Sequence, residues 1–295
     1  MQQTKPQQNT PTLGWFDGQP LETYGGELTQ VLLASRSLAY GESLFETMRL
    51  IKGQVPLWPL HQARLLTGAQ AWGYTISPQQ IADIEQQVIE FSQQEPHAGI
   101  LKLSLLRLET AAGYVQSTQK PWHIWLQKRA FVPELAPYQH GIQAGINEYL
   151  LPQMHTPLTG AKHGNRAHQI LARQTWQSLW QEAVLIDQAG YLLEANSRNL
   201  FWWSQDHLYS PQITSDAVHG VFSRYLTQQG YAPTYVRQPW QVLAQAQSVF
   251  VANSVQGIWP VASLQTPEGQ YLYASDDAPT RQLMRDLHPK LGLPS

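Results

Sequence analysis

The residues best suited to chemistry in this sequence are one lysine, one glutamate, one arginine and the start of one helix. Lysine is scarce, occurring at Lys5, Lys52, Lys102, Lys120, Lys128, Lys162 and Lys290. Lys162 stands apart because Gly160 and Ala161 precede it, leaving room for a ligand against the backbone, and a helix is expected just beyond. A lysine that bonds to a carbonyl must be partly desolvated, so that its amine is neutral and nucleophilic. A lysine in a solvated loop has the same local sequence. Glu194 falls in Tyr191-Leu192-Leu193-Glu194-Ala195-Asn196, on the second arm of an expected hairpin. Facing the nitrogen of an aromatic heterocycle, a carboxylate keeps that nitrogen protonated and the ring electron-accepting; an outward-facing strand glutamate looks no different. Gly220-Val221-Phe222 opens a helix, and the unpaired N–H groups of such a start suit a phosphate, as those of any helix do. Arg64, in His61-Gln62-Ala63-Arg64-Leu65, can add a charge-assisted contact to the same anion or sit on a helix surface.

Other chemistries are excluded by what the chain lacks. It has no cysteine, which removes disulfides, thiolate catalysis, iron–sulfur clusters and cysteine-based zinc sites. The ten histidines are scattered and never at H-E-x-x-H spacing. His163 and His168, five apart, do not share a helical face. G-x-G-x-x-G, a Walker phosphate loop and the G-x-S-x-G elbow are all absent. A formal net charge of −2 offers no basic surface for nucleic acid. No apolar run approaches the roughly 18 residues that span a membrane. Hydrophobic residues at 42% against charged residues at 14% describe a globular chain. Its 295 residues suit one large domain or two medium ones. Met1 to Pro11 is polar and rich in Gln and Pro, unlike a signal peptide. Residues 1–14 are therefore expected to form a disordered leader, with the cytoplasm as default compartment.

The elements that must position these residues can be read from periodicity and turn chemistry. Trp15 to Pro20 reads as a short strand into a turn. Ser43–Leu50, a Lys52-Gly53 turn and Gln54–Trp58 read as a hairpin. A helix is expected over Leu60–Trp72, closed by Gly73. Ser77-Pro78-Gln79-Gln80 combines an N-cap serine, proline at N1 and glutamine at N3, and Ile81, Ile84 and Val88 carry the helix to about Gln94. Strands follow at Ile100–Leu108 and Trp122–Ala130, and Phe131–Tyr138, with two prolines, reads as a linker. Beyond it come a strand at Ile142–Ile146, a loop over Pro152–Gly160 and a helix over Arg166–Gln181. A hairpin of Ala183–Asp187 and Tyr191–Trp203 follows, then a helix from Gly220 and a last clear strand at Ser248–Ala252. No regular βαβ rhythm is present, so the expected class is α+β rather than a doubly wound sheet. The subdomains are placed at 15–130 and 139–295, joined by 131–138.

Taken together and in order, the segments resemble the class IV, or fold-type IV, pyridoxal 5′-phosphate enzymes from about Trp15 to Val261. Tyr40-Gly41-Glu42-Ser43-Leu44-Phe45-Glu46-Thr47 resembles that family's Y/F-G-D-x-x-F-E-T segment, and His61–Leu65 its H-x-x-R-L helix. Gly190–Phe201 resembles G-x-x-x-E-x-x-x-x-N-L-F, and Asn253-Ser254 with Trp259-Pro260-Val261 resembles N-S-x-x-G-x-x-P-V. Leu158-Thr159-Gly160-Ala161-Lys162-His163-Gly164-Asn165-Arg166 is similar to the L-x-G-x-K-H-x-N-R pattern of the family's aminodeoxychorismate lyases. Arg107 with Gly113-Tyr114 also resembles a lyase segment. Three positions depart from the pattern. Ala112 stands where lyases often carry arginine, Glu42 replaces an aspartate, and Arg224 comes one place late after Gly220.

The resemblance implies a fold-type IV enzyme with a small N-terminal α/β subdomain and a larger C-terminal pseudo-barrel. It implies pyridoxal 5′-phosphate bonded to the catalytic Lys162, with Arg64, Glu194, Asn199, Gly220, Val221, Phe222, Asn253 and Ser254 around the cofactor. Arg107 and Tyr114 are the implied substrate contacts, and no metal is implied. Conversion of aminodeoxychorismate to 4-aminobenzoate and pyruvate is the leading activity. A branched-chain or D-amino-acid aminotransferase is the alternative, and a catalytically silent binding subunit the third. Retention of both Lys162 and Glu194 speaks against the silent subunit. A homodimer is implied too, and eleven tryptophans and thirteen tyrosines are enough to furnish such a contact.

Overall fold

The computed structural model of the protein describes residues 14–94, 98–110, 113–115, 122–153, 156–215 and 217–295. The expected leader, apart from Gly14, and Ala112 lie outside the described residues. The chain enters through β1 (Gly14–Phe16), β2 (Gln19–Pro20), α1 (Gly26–Ala34) and α2 (Arg36–Tyr40). It continues with β3 (Ser43–Leu50), α3 (Trp58–Ala71), α4 (Pro78–Gln93), β4 (Gly99–Leu106) and β5 (His123–Ala130). These five strands make an antiparallel sheet in the order β2-β1-β5-β4-β3.

On one face of that sheet, Leu44 and Met48 of β3 and Leu101, Leu103 and Leu105 of β4 pack against Leu65, Ala69, Ile84, Val88 and Phe91 of α3 and α4. Each of the larger side chains among these, fully buried, contributes about 1.5–3 kcal/mol. The capping box at Ser77 forms, its Oγ accepting from Gln80 N at 3.2 Å while Gln80 Oε1 accepts from Ser77 N at 3.1 Å. The hairpin expected across Lys52-Gly53 closes only as a turn with one bridge, Ile51 to Gln54. Pro56 in the return arm has no N–H to extend a ladder, and β3 takes β4 as its partner, Phe45 opposite Ser104.

The remaining chain supplies α5 (Ala136–His140), β6 (Ile142–Ile146), α6 (Ala167–Gln174), β7 (Glu182–Ile186), β8 (Leu192–Ala195), β9 (Asn199–Ser204) and β10 (His207–Pro211). Then follow α7 (Val221–Gln228), β11 (Thr234–Val236), β12 (Ser248–Asn253), β13 (Gly257–Thr266), β14 (Gly269–Leu272) and α8 (Ala278–Leu287). The strands form a nine-stranded mixed sheet, β11-β10-β9-β12-β13-β6-β7-β8, with β14 also on β13. One core joins Phe201 and Phe250 to Phe222, Leu226, Leu283 and Leu287 of α7 and α8. A second joins Ile142, Val184, Leu200, Trp202, Val249 and Val261 to Trp240 and Leu243.

The connector 131–138 runs into a short helix, α5. Two expectations change here. The helix expected to reach Gln181 stops at Gln174. Asn147 Nδ2 and Thr175 Oγ1 both donate to Ala172 O at 2.9 Å, taking the carbonyl that another turn would need. The single strand expected over Tyr191–Trp203 breaks at residues 196–198. β8 pairs with β7, whereas β9 pairs with β10 and β12. That break puts Glu194 and Asn199 on either side of a tight turn.

Candidate active site

The loop carrying Lys162 is held from both sides. Lys162 O accepts from Phe45 N at 2.9 Å, and Gly164 N donates to Ser43 O at 3.0 Å, so the loop lies along the free edge of β3. On the other side Gly160 N donates to Ala217 O at 2.9 Å and Gly160 O accepts from His219 N at 3.0 Å. Gly160 has φ +85°, and a Cβ there would stand 2.2 Å from the His219 ring. This is the close approach for which only glycine serves.

Lys162 Nζ sits 4.6 Å from the centre of the Phe45 ring, in a cavity of about 390 Å³ lined by residues of both sheets. Burial pushes the amine down to about 8, helped by Arg64 and Arg166 and opposed by Glu46 and Glu194. A lysine in that state supplies a neutral amine near physiological pH. Glu194, on β8, lines the same cavity, and one of its oxygens accepts from Val218 N at 3.0 Å. Asn199 opens β9 and donates from Nδ2 to Val218 O at 3.1 Å, tying the segment before α7 to the sheet. Gly220 is the N-cap of α7. A Cβ there would fall 1.6 Å from Asn199 Oδ1, so the helix start can be this close to β9 only without a side chain.

Arg64 projects from α3 with its Nε 2.7 Å from Glu46 Oε1 and its Nη1 2.9 Å from His219 O; Nη2 also donates to Glu46. Glu46 is fully buried and also accepts from His61 Nδ1 at 2.6 Å. Although burial alone raises a carboxyl, Arg64 and His61 overcome it and hold Glu46 at about 2. Burial pushes His61 below its ordinary value, against the pull of Glu46. On the far side, Ser254 Oγ donates to Thr47 O at 3.3 Å. Asn253 Oδ1 accepts from Val255 N at 3.0 Å and Gln256 N at 2.8 Å, which shapes the turn between β12 and β13.

Lys162, Arg64, Glu194, Asn199, Gly220, Val221, Phe222, Asn253 and Ser254 thus all line one cavity. Arg107 and Tyr114 do not. Arg107 is 1% exposed, paired with Glu109, and its guanidinium lies 4.1 Å from the Tyr74 ring centre and 5.4 Å from that of Trp122. A guanidinium enclosed by a carboxylate and aromatic faces is held where it stands, away from the cavity. Tyr114 is 88% exposed, beside Tyr40. The departure at Glu42 also has a local cause. Glu42 is buried, accepts from Arg36 Nε at 2.6 Å and from the Tyr74 hydroxyl, and forms part of the same network as Arg107.

Sequence reasoning missed Glu46, Phe45, Arg129 and Arg198, and left Arg166 without a role. Glu46 was detectable in principle. His61 and Arg64 are three apart, so they share a helical face, and that face needed a buried anion. Arg166 lines the cavity and donates to His163 O at 3.1 Å and Ala161 O at 2.9 Å, the carbonyls on either side of Lys162.

The sequence profile described as Amino-transferase class IV matches residues 43–264. The aminodeoxychorismate lyase of Vibrio harveyi is 28% identical over 94% of this chain and 99% of its own. The crystal structure of 4-amino-4-deoxychorismate lyase from Pseudomonas aeruginosa superposes with a TM-score of 0.81 at 26% identity, covering 94% of this chain and 98% of that one. A hypothetical aminotransferase from Mycobacterium tuberculosis, in a PLP-bound form, shares the fold with a TM-score of 0.68 at 17% identity, covering 85% and 90%. The fold is the α+β fold-type IV architecture.

Proposed function

From the premise that the chain belongs to the amino-transferase class IV family of enzymes, we propose that it is a pyridoxal 5′-phosphate-dependent lyase converting 4-amino-4-deoxychorismate to 4-aminobenzoate and pyruvate. The observation that carries this reading is the amine of Lys162, held near pKa 8, in one cavity with the carboxylate of Glu194 and the start of α7. The donor set fits the cofactor. A neutral amine suits an aldehyde, a carboxylate suits a pyridinium nitrogen, and a glycine-capped helix start beside an arginine suits a phosphate. The lyase is preferred to an aminotransferase because similarity to a curated lyase extends over 99% of that protein, and because Arg166 of the lyase-like stretch shapes the loop of Lys162.

Lys162 would hold the aldehyde of the cofactor, and its amine is the base at that site. Arg64, the first amides of α7 and Ser254 would hold the phosphate. Glu194 would keep a proton on the ring nitrogen. When bound, the cofactor supplies an electron-accepting ring that stabilises negative charge at the carbon bearing the substrate amine. Lys162 removes the proton from that carbon and delivers one to the departing enolpyruvyl fragment, which leaves as pyruvate while the ring becomes aromatic. Phe45 and Phe222 in the cavity wall limit water around the amine.

A homodimer in the cytoplasm belongs to the same proposal. Leu33, Leu38, Tyr114 and Val115 are 67, 63, 88 and 82% exposed, apolar surface of the kind a second copy covers. Among the described residues no helix is long and apolar enough to cross a membrane.

The deciding assay is pyruvate release from aminodeoxychorismate by purified holoenzyme with no amino acceptor. Sustained, stoichiometric release supports the lyase. A requirement for a 2-oxo acid would replace it with the aminotransferase, and failure to take up cofactor would leave a silent binding subunit.

A further inference from the structure

The cations of the cavity are not balanced by its own wall. Its lining carries Arg64, Arg129, Lys162, Arg166 and Arg198 against the single carboxylate of Glu194. Two of these are neutralised from behind, Arg64 by Glu46 and Arg198 by Glu182, with 2.7 Å between Arg198 Nη1 and Glu182 Oε2. Arg166 is turned onto the loop of Lys162. Arg129 differs from all of them. It is exposed and lines the cavity beside Ile100 and Phe131, and its side chain makes no hydrogen bond or ion pair with any described residue.

Strand register explains where this charge points. Arg129 lies opposite Ile100, and Ile100 opposite Arg49; Gln127 lies opposite Lys102, and Lys102 opposite Thr47. Side chains alternate along a strand, so these residues share a face with Phe45, the ring beneath Lys162. The same face of β3, β4 and β5 holds Ser43, Ser104, Leu106, His123 and Trp125, and no aspartate or glutamate. Arg49 is committed elsewhere, donating to Leu291 O at 3.1 Å and Gly99 O at 3.3 Å. Arg64 already reaches the phosphate-suited helix start, donating to His219 O at 2.9 Å beside Gly220, whereas Arg129 makes no hydrogen bond to that segment. With the phosphate assigned to Arg64 and the first amides of α7, Arg129 is left for another anion.

We propose that Arg129 is a specificity-determining residue that receives a carboxylate of the substrate remote from the reacting amine, the role that resemblance had given to Arg107. For the identity of the substrate this rests on the lyase reading; the contact between guanidinium and carboxylate does not. A planar guanidinium accepts a carboxylate through two parallel N–H···O bonds, which neither lysine nor glutamine reproduces.

The test uses holoenzyme of the wild type, Arg129→Gln and Arg129→Lys. It measures KM and kcat with aminodeoxychorismate, and calorimetric Kd for 4-aminobenzoate, pyruvate and the uncharged 4-aminobenzamide. Arg129→Gln is expected to raise KM about ten-fold, with kcat within about two-fold, as loss of a partly solvated charge-assisted pair requires. It should weaken one of the two carboxylates by a similar factor, leave the amide unchanged, and be partly rescued by Arg129→Lys. Unchanged KM and Kd values, an equal loss with the amide, or no binding of either carboxylate to the wild type would overturn the proposal. Should the wild type turn over no aminodeoxychorismate, the lyase reading fails, while the calorimetric comparison still decides the role of Arg129.

Discussion

Replacing Glu46 by glutamine tests the charge arrangement beneath the site without changing its shape. Glu46 is fully buried, accepts two hydrogen bonds from Arg64 and one from His61, and is ionised at any ordinary pH, with its pKa at about 2. Removing one partner of a buried ion pair costs roughly 3–5 kcal/mol, because the other charge stays behind unpaired. At about 2–4 °C per kcal/mol for a domain of this size, the melting temperature should fall by roughly 6–20 °C. The effect on Lys162 has a definite sign. Glu46 raises the amine pKa while Arg64 lowers it, so Glu46→Gln must move the amine further below about 8. Reductive labelling of the apoprotein with pyridoxal and borohydride over a pH range of roughly 6–10, read on the Lys162 peptide, gives the midpoint directly. A melting temperature within about 2 °C of wild type, together with a midpoint that stays or rises, would refute the arrangement of charges described here.

Three further outcomes are expected. Lys162→Ala should abolish visible absorbance on addition of pyridoxal phosphate and lower pyruvate release by about 10²–10⁴-fold, the range for loss of a positioned acid–base group; retained absorbance would mean that the aldehyde bonds elsewhere. Gly220→Ala places a Cβ 1.6 Å from Asn199 Oδ1, so cofactor affinity, read by absorbance titration, should fall at least about ten-fold; Asn199→Gly in the same chain makes room and should recover part of it. His288, pushed down to about 4 by burial, takes up a proton in the unfolded chain near pH 6.5. The unfolded state therefore binds more protons between these values. Stability is intact above pH 6.5 and falls by up to about 3 kcal/mol as the pH drops through 4. Urea midpoints at about pH 7 and 4.5, on either side of that titration, should show this loss in wild type and less of it in His288→Gln.

Legibility in the sequence followed the range of the interaction that decides each feature. The box at Ser77 and the turn at Gly73 are local. Both were readable, because every group they need lies close by in the chain. The end of α6 at Gln174 was not, since it depends on Asn147, 25 residues upstream of Ala172. The break between β8 and β9 was hidden for the same reason. Its pairing partners β7, β10 and β12 decide it, and no residue in Asn196-Ser197-Arg198 is a strong breaker. The order of motifs did bring nine residues to one cavity. Motifs of that kind report a fold whose register is already set, and they carry long-range geometry that periodicity lacks.

The same reasoning explains why the cofactor-facing residues were easier to locate than the substrate-facing ones. Around Lys162 each site residue is fixed by backbone pairing: the lysine by β3, Glu194 by Val218 N, Gly220 by the space beside Asn199. A residue positioned by the backbone keeps its place when neighbouring side chains change. Arg107 follows β4 and Arg129 lies on β5, its neighbour in one sheet, and either could carry a carboxylate. Register puts Arg129 on the face of Phe45 and Ile100, whereas Arg107 comes one residue after Leu106 of that face, and side chains then hold it where it is. Glu109, Tyr74 and Trp122 enclose Arg107, while no side chain among the described residues pairs with that of Arg129. If Arg107 owes its position to that enclosure, Glu109→Gln should destabilise the chain, as loss of a buried partner does, while leaving KM within about two-fold of wild type. A large rise in KM with unchanged stability would return the carboxylate contact to Arg107, measured by melting temperature and initial rates on the same preparation.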